Sequence, residues 1–287
     1  MDLMSSSGNE LRIRTMRPEE ISTALEWAAA EGWNPGRADQ ACFAAVDPGG
    51  FLIGELDGAP AATVSCVNYG GRFAFLGFYI VRKDLRGRGF GLSIWKAAIA
   101  HAGSRVIGLD GVVAQQPNYR KSGFEFAYAN VRYGGAVTAM DSPQAGIVGL
   151  ADIPLPVVDA YDATVFPARR TAFLRAWIGA TGHLGRALMR DGELAGWGVI
   201  RPCLRGYKVG PLVANERSTA EAVLAALVVG IGGGEIFLDV PDINRDAVAL
   251  AQDFGLVPSF ETARMYTGPI PPLRLERVFG VTTFELG

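Results

Sequence analysis

The stretch that most restricts what this chain can become is residues 81–92, Val-Arg-Lys-Asp-Leu-Arg-Gly-Arg-Gly-Phe-Gly-Leu. It lies between an apolar run, residues 73–81, that reads as a buried strand, and a stretch in which Leu92, Trp95 and Ile99 recur at helical spacing. A strand that passes into a helix through Gly87, Gly89 and Gly91 must turn tightly, and glycine permits backbone conformations that point consecutive amides one way. The start of the helix adds its own partial positive charge. Arg86 and Arg88 bring guanidinium groups that make charge-assisted hydrogen bonds to phosphate oxygens. The stretch, Arg86 to Gly91 with Phe90 inside it, therefore suits a pyrophosphate. The spacing is not that of a dinucleotide loop, and the Gly-Lys-Ser/Thr of a Walker loop is missing. A plain turn is the bland alternative in a chain with 37 glycines. Alternation of glycine with arginine at a strand-to-helix junction weighs against it.

A chain of 287 residues is comfortable for two domains, and 49% hydrophobic residues are enough for full cores. The net charge of −2 gives no basic face of the kind nucleic acid requires. Cys42, Cys66 and Cys203 are scattered and only His101 and His183 are present, so no metal site or disulfide framework is expected. That cysteine usage points to a reducing, cytoplasmic setting. Residues 1–10 are polar and read as a disordered tail without the character of a signal peptide. The longest apolar run, residues 222–231, is short of the roughly 20 residues of a membrane span.

Periodicity places a strand at 11–16, a helix opened by Pro18 with Glu19 and Glu20 in its first turn, and a three-strand meander over 51–81 with an Asp57-Gly58 hairpin turn. The glycine loop and its helix follow, then a strand at 106–109, a short helix at 115–122 and a strand at 124–133. Residues 136–146, rich in Gly, Ala, Ser and Pro, read as a linker. Residues 147–287 then repeat the plan, including a second Asp-Gly hairpin at Asp191-Gly192. The fold class is α+β, an α/β sandwich of two tandem copies, each a mixed and mostly antiparallel sheet with helices on both faces.

Arg86-x-x-Gly89-x-Gly91, taken with the element order of residues 11–135, resembles the GNAT acyltransferase superfamily. A second match is independent of the first. Tyr119 stands four residues before Gly123-Phe124, where members of that superfamily often carry a tyrosine. The resemblance implies acetyl-CoA or another acyl-CoA as co-substrate, with Tyr119 as the acid that protonates the leaving thiolate. It implies that backbone groups of Phe78, Ile80 and Val81 face the acyl and pantetheine arm, in a slot where the next strand splays away. Asn118 would bond that arm, or else satisfy local backbone at a helix start. Relatives often place a carboxylate base on the strand before the loop, and residues 73–81 hold none. Asp110 and Glu31 are the candidates for the base. Relayed water is a third route, and Asp110 could instead satisfy turn amides beside Gly111.

The second half lacks both motifs: its strand runs into Pro211-Leu212-Val213-Ala214-Asn215-Glu216, and Ala251 holds the place of Tyr119. This layout resembles tandem bacterial members with an active first domain (11–135) and a degenerate second (147–287). The second is expected to shape the acceptor pocket, with Trp33, Asn34 and Arg264-Met265-Tyr266 as lining. The ending, residues 279–284, reads as a strand that returns toward the first domain. The expected activity is N-acyl transfer, acetyl first, to a small-molecule amine by a monomer or homodimer. A non-catalytic acyl-CoA sensor is the alternative.

Overall fold

The computed structural model describes residues 10–139 and 145–287. All but Glu10 of the expected tail, and residues 140–144 of the expected linker, lie outside the described residues.

The first half runs β1 (Arg12–Thr15), α1 (Ile21–Ala30), α2 (Asp39–Ala44), β2 (Phe51–Leu56), β3 (Ala59–Tyr69), β4 (Phe73–Val81), α3 (Phe90–Ala102), β5 (Val106–Val112), α4 (Gln116–Lys121) and β6 (Glu125–Val137). The second half runs β7 (Ile147–Gly149), α5 (Leu155–Asp162), α6 (Thr171–Gly179), β8 (Leu184–Arg190), β9 (Glu193–Pro202), β10 (Tyr207–Ala214), α7 (Arg217–Gly230), β11 (Gly234–Pro241), α8 (Arg245–Asp253), β12 (Val257–Tyr266) and β13 (Val278–Gly280). Both expected hairpin turns form. Asp57 and Gly58 have φ of 50° and 79°, and Asp191 and Gly192 have 52° and 81°, the left-handed pair that matches strand twist. Asn244 caps α8 by accepting from the Ala247 amide.

The two halves do not keep separate sheets. One 13-stranded sheet runs in the order β1-β2-β3-β4-β5-β12-β6-β11-β10-β9-β8-β7, with β13 paired to β10 off this path. The expectation of a separate sheet for each copy is thereby corrected. β6 pairs with β11 of the second half, and β12 lies between β5 and β6. The exchange follows from where the apolar side chains fit. Ala263 and Met265 of β12 pack with Ile94, Trp95, Ile107, Leu109 and Phe124 of the first half. Tyr133 of β6 packs with Leu224, Leu238 and Leu250 of the second. A third core is shared outright, with Phe43, Phe78 and Trp177 buried together and the Phe43 and Trp177 rings stacked 6.3 Å apart.

In each half, two parallel strands part company. β4 and β5 pair only from Phe73↔Val106 to Leu76↔Leu109, then diverge. β10 and β11 pair only from Tyr207↔Ile236 to Val209↔Leu238. The second gap is filled by the protein itself: β13 pairs with β10 at Leu212↔Gly280, and the Val281 amide donates to Asp239 O at 2.8 Å. The expected terminal strand is thus three residues long and belongs to the second half. The residues after it do return to the first half. The Tyr69 hydroxyl donates to Leu286 O at 2.9 Å, and the Glu285 carbonyl lies against Gly77 of β4. A Cβ on Gly77 would stand 2.1 Å from that oxygen, so this crossing requires glycine.

Candidate active site

The gap between β4 and β5 opens into a cavity of about 540 Å³. At one end stands the glycine loop. Gly87 and Gly89 take left-handed backbone, φ 79° and 88°, and Gly89 is the N-cap of α3. The amides of Phe90, Gly91 and Leu92 in the first helical turn have no backbone acceptor, whereas Ser93 bonds Gly89 O at 3.2 Å. Gly87, Gly89, Gly91 and Leu92 line the cavity. An anion there meets free amides and a helix N-terminus together.

The two arginines are placed differently. Arg86 is turned along the cavity wall, where its Nε donates to Val81 O at 2.9 Å and its guanidinium meets Glu31 Oε1 at 2.6 Å. Arg88 is exposed, with its guanidinium carbon 5.1 Å from the Phe90 ring centroid. The Phe90 side chain is buried with Ala61 and Leu85, so only its backbone can serve a ligand.

Along the cavity, Leu76 to Val81 of β4 face the slot, with no partner on the β5 side beyond Leu76. The strand bulges at Phe78, whose φ is 48°, because Val64 alone spans the two residues Phe78 and Tyr79 between Thr63↔Ile80 and Ser65↔Gly77. The Phe78 carbonyl is held by Thr63 Oγ1 at 2.9 Å. Its ring packs in the shared core against Phe43 and Phe51. Phe78, Ile80 and Val81 all line the cavity, although the Val81 carbonyl is already taken by Arg86.

Tyr119 comes in from α4. It is 9% exposed, stacks on Trp95 with ring centroids 5.6 Å apart, and lies where a Cβ on Gly111 would be 2.2 Å from its ring. Burial pushes its phenol up to about 12, the neighbouring Tyr79 adds to this, and a hydrogen bond with the Val112 backbone opposes it. The phenol thus keeps its proton at neutral pH. Asn118 donates to Gln115 Oε1 at 2.8 Å, and of these two only Gln115 lines the cavity.

Asp110 also lines the cavity, but its carboxylate is engaged. Arg264 binds both oxygens, at 2.8 and 2.7 Å, and Asn130 Nδ2 donates to Oδ1 at 2.7 Å. Both carboxylate oxygens are thus already occupied by Arg264 and Asn130, and this geometry tells against Asp110 as the base. Asp110→Ala would leave Arg264 as an uncompensated buried charge and is expected to destabilise the fold by about 3–5 kcal/mol. Urea unfolding measures it, and a loss under about 1 kcal/mol would contradict the structural assignment.

The other end of the cavity belongs to both halves. Trp33 and Glu31 follow α1, Phe260 and Thr262 come from β12, and Phe284 and Glu285 come from the final stretch. The expected lining shifts accordingly. Arg264, Met265 and Tyr266 are buried elsewhere, and Asn34 exchanges hydrogen bonds with the Arg205 backbone at 2.9 Å. The Trp33 carbonyl accepts from Lys208 Nζ at 2.9 Å and from Arg132 at 3.0 Å. Phe284 and Glu285 had no sequence signal tied to the site. The available one was a lone acid in the apolar stretch 278–287. Among the described residues no cluster of His, Cys, Asp and Glu could hold a metal ion, and no helix is long and apolar enough to cross a membrane.

Comparison with known proteins accords with this arrangement. A profile described as the acetyltransferase (GNAT) family matches residues 17–124, and one described as an acetyltransferase (GNAT) domain matches 158–280. Holothin acyltransferase of Pseudoalteromonas sp. (strain SANK 73390) is 30% identical over 270 residues, covering 94% of this chain and 92% of its own. The crystal structure of a candidate acetyltransferase from Pyrococcus horikoshii superposes with a TM-score of 0.83 at 23% identity, over 100% of this chain and 99% of that one. A tandem GNAT protein from the clavulanic acid biosynthesis pathway gives 0.61 at 14% identity, over 91% and 100%.

Proposed function

Because the chain belongs to the GNAT acyltransferase family, with two copies of its fold in tandem, we propose that it moves an acyl group, acetyl first, from acyl-CoA directly to the amine of a small-molecule acceptor. One observation carries the reading: a glycine cradle, an unpaired strand edge and a buried phenol all line a single cavity. Acyl-CoA supplies the activated thioester. The chain's own residues do the rest. The amides of the first turn of α3 hold the pyrophosphate. The free edge of β4 from Gly77 to Val81 orients the arm and the acyl carbonyl. Tyr119 keeps a proton for the departing sulfur. Arg86, which ties Val81 to Glu31, shapes the wall of the slot. Asp110 positions Arg264.

Calorimetry with acetyl-CoA, followed by free-thiol release with alkylamines, arylamines, amino sugars, peptides and holothin, tests this. Binding without thiol release for every acceptor would select the alternative, an acyl-CoA sensor, which the lack of any Asp or Glu on β4 favours. Absence of binding would end both readings. The stoichiometry is expected to be one acetyl-CoA per chain, since β13 fills the equivalent gap of the second half. Two bound per chain would refute that. Gly89→Ala must adopt left-handed backbone, which costs about 1–2 kcal/mol. If the cradle has to hold that shape, its Kd for acetyl-CoA is expected to rise about five- to thirtyfold. An unchanged Kd would remove the loop from the phosphate site.

A further inference from the structure

Three carboxylates line the cavity, and two are occupied. Asp110 is clamped by Arg264 and Asn130. Glu31 is bound by Arg86 and lies 3.9 Å from Lys83, with its side chain 26% exposed. The third, Glu285, is 3% exposed, and its Oε2 is buried without a hydrogen-bond partner. An unpartnered buried carboxylate oxygen costs free energy, and such groups are rare unless they have a task. Its position is equally specific. The Glu285 carbonyl rests on Gly77, one residue before the bulge at Phe78, on the stretch of β4 edge that no strand covers.

The surroundings of Glu285 are rich in cations. Behind Glu285 lie Arg132 on β6, Arg201 on β9 and Lys208 on β10, all buried and all interacting electrostatically with it. Arg132 is paired with Asp239 on β11 at 2.6 Å, and Arg201 with Asp39 on α2 at 3.0 Å. Lys208 has only the Trp33 carbonyl as hydrogen-bond acceptor, so the cluster carries one cation more than its two aspartates balance. Glu285 is the remaining anion. In front of it stand Phe284, whose ring lies 6.2 Å from that of Phe260, and Trp33.

We infer that Glu285 is the catalytic residue that takes the acceptor's proton, and that the acceptor is a primary amine carried on a flat apolar body seated among Trp33, Phe260 and Phe284. The inference rests on the acyl-transfer reading above. As the acceptor nitrogen bonds the acyl carbon, the carbon–sulfur bond breaks. The Glu285 carboxylate has by then taken one proton from the acceptor's ammonium group, the bonded nitrogen loses its second proton to solvent, and the Tyr119 phenol gives its proton to the sulfur. Solvent then returns both groups to their starting states, so atoms and charge balance.

The test compares the parent with Glu285→Gln and Glu285→Asp, using acetyl-CoA and the fastest alkylamine and arylamine of the panel. Glu285→Gln is expected to lower kcat/KM for the alkylamine at least a hundredfold at pH 7, with the Kd for acetyl-CoA within about twofold of the parent. The deficit should shrink as pH rises toward the amine's own pKa, because solvent then removes the proton, and it should be smaller for the weakly basic arylamine. Glu285→Asp keeps the charge that balances the cluster and loses reach, so it should fall between the two. An aspartate variant with parent activity, or a glutamine deficit equal for both amines at every pH, would reduce Glu285 to a counter-ion and overturn the inference. If glutamine prevents folding, the aspartate variant alone decides. Failure of the parent with every amine would instead overturn the acyl-transfer reading, and this inference with it.

Discussion

Tyr119→Phe is expected to lower kcat by about 10²–10⁴-fold, the usual contribution of a positioned acid, with the Kd for acetyl-CoA nearly unchanged. The ring would keep its stack on Trp95 and its seat over Gly111, so the variant removes one oxygen and little else. A thiolate leaving into a cavity walled by Tyr79 and the rest of the β4 edge has few other proton donors. The burial that lifts the phenol to about 12 has a consequence for pH. A group whose pKa is raised stays protonated, and so competent as an acid, until pH approaches the raised value. No alkaline fall in kcat below about pH 10 should therefore arise from Tyr119. Steady-state kinetics of both proteins across pH 6–10 measure this. A phenylalanine variant within threefold of the parent, or an alkaline limb in the parent that the variant lacks, would remove Tyr119 from the acid role.

What was legible in the sequence was local. The glycine loop is a matter of backbone chemistry at consecutive residues, and both Asp-Gly turns follow from the left-handed pair they need. The splay of β4 from β5 came with the fold that the motif implied. What was not legible was long-range. Nothing in Glu125–Val137 says that its partners are β11 and β12 rather than β5, because any strand edge offers the same amides and carbonyls. Asp110 read as a base because its clamp, Arg264, is 154 positions away. Arg86 read as a phosphate ligand for a similar reason: Glu31, 55 positions earlier, competes for its guanidinium. Asn118, open between two roles in the sequence, gives its side-chain amide to Gln115 one turn earlier. On β12, Phe260 and Thr262 line the cavity and residues 264–266 do not, because the inner side chains of that strand fill the first half's core and bind Asp110.

Residues 10–139 expressed alone are expected to yield no soluble, folded protein, and to regain both solubility and acetyl-CoA binding when co-expressed with residues 145–287. The reason is the strand exchange. β6 pairs only with β12 and β11, so in its own half it has no partner at all. β5 would lose its pairing from Gly108 to Val112, which leaves the slot's far wall as a free edge, and free edges recruit other chains. The apolar loss is larger still. Phe43 and Phe78 would be stripped of Trp177, while Leu109 and Phe124 would be stripped of Ala263 and Met265. Burying such side chains is worth about 1.5–3 kcal/mol each, and a domain's whole margin is about 5–15 kcal/mol. The complementary fragment restores every one of these contacts, because a break between β6 and β7 severs no strand. Size-exclusion chromatography and calorimetry on the co-purified pair measure the rescue. A first half that is folded, monomeric and able to bind acetyl-CoA by itself would mean that the active site does not depend on the exchanged strand. The second half would then be an accessory to the acceptor pocket rather than part of the slot's wall.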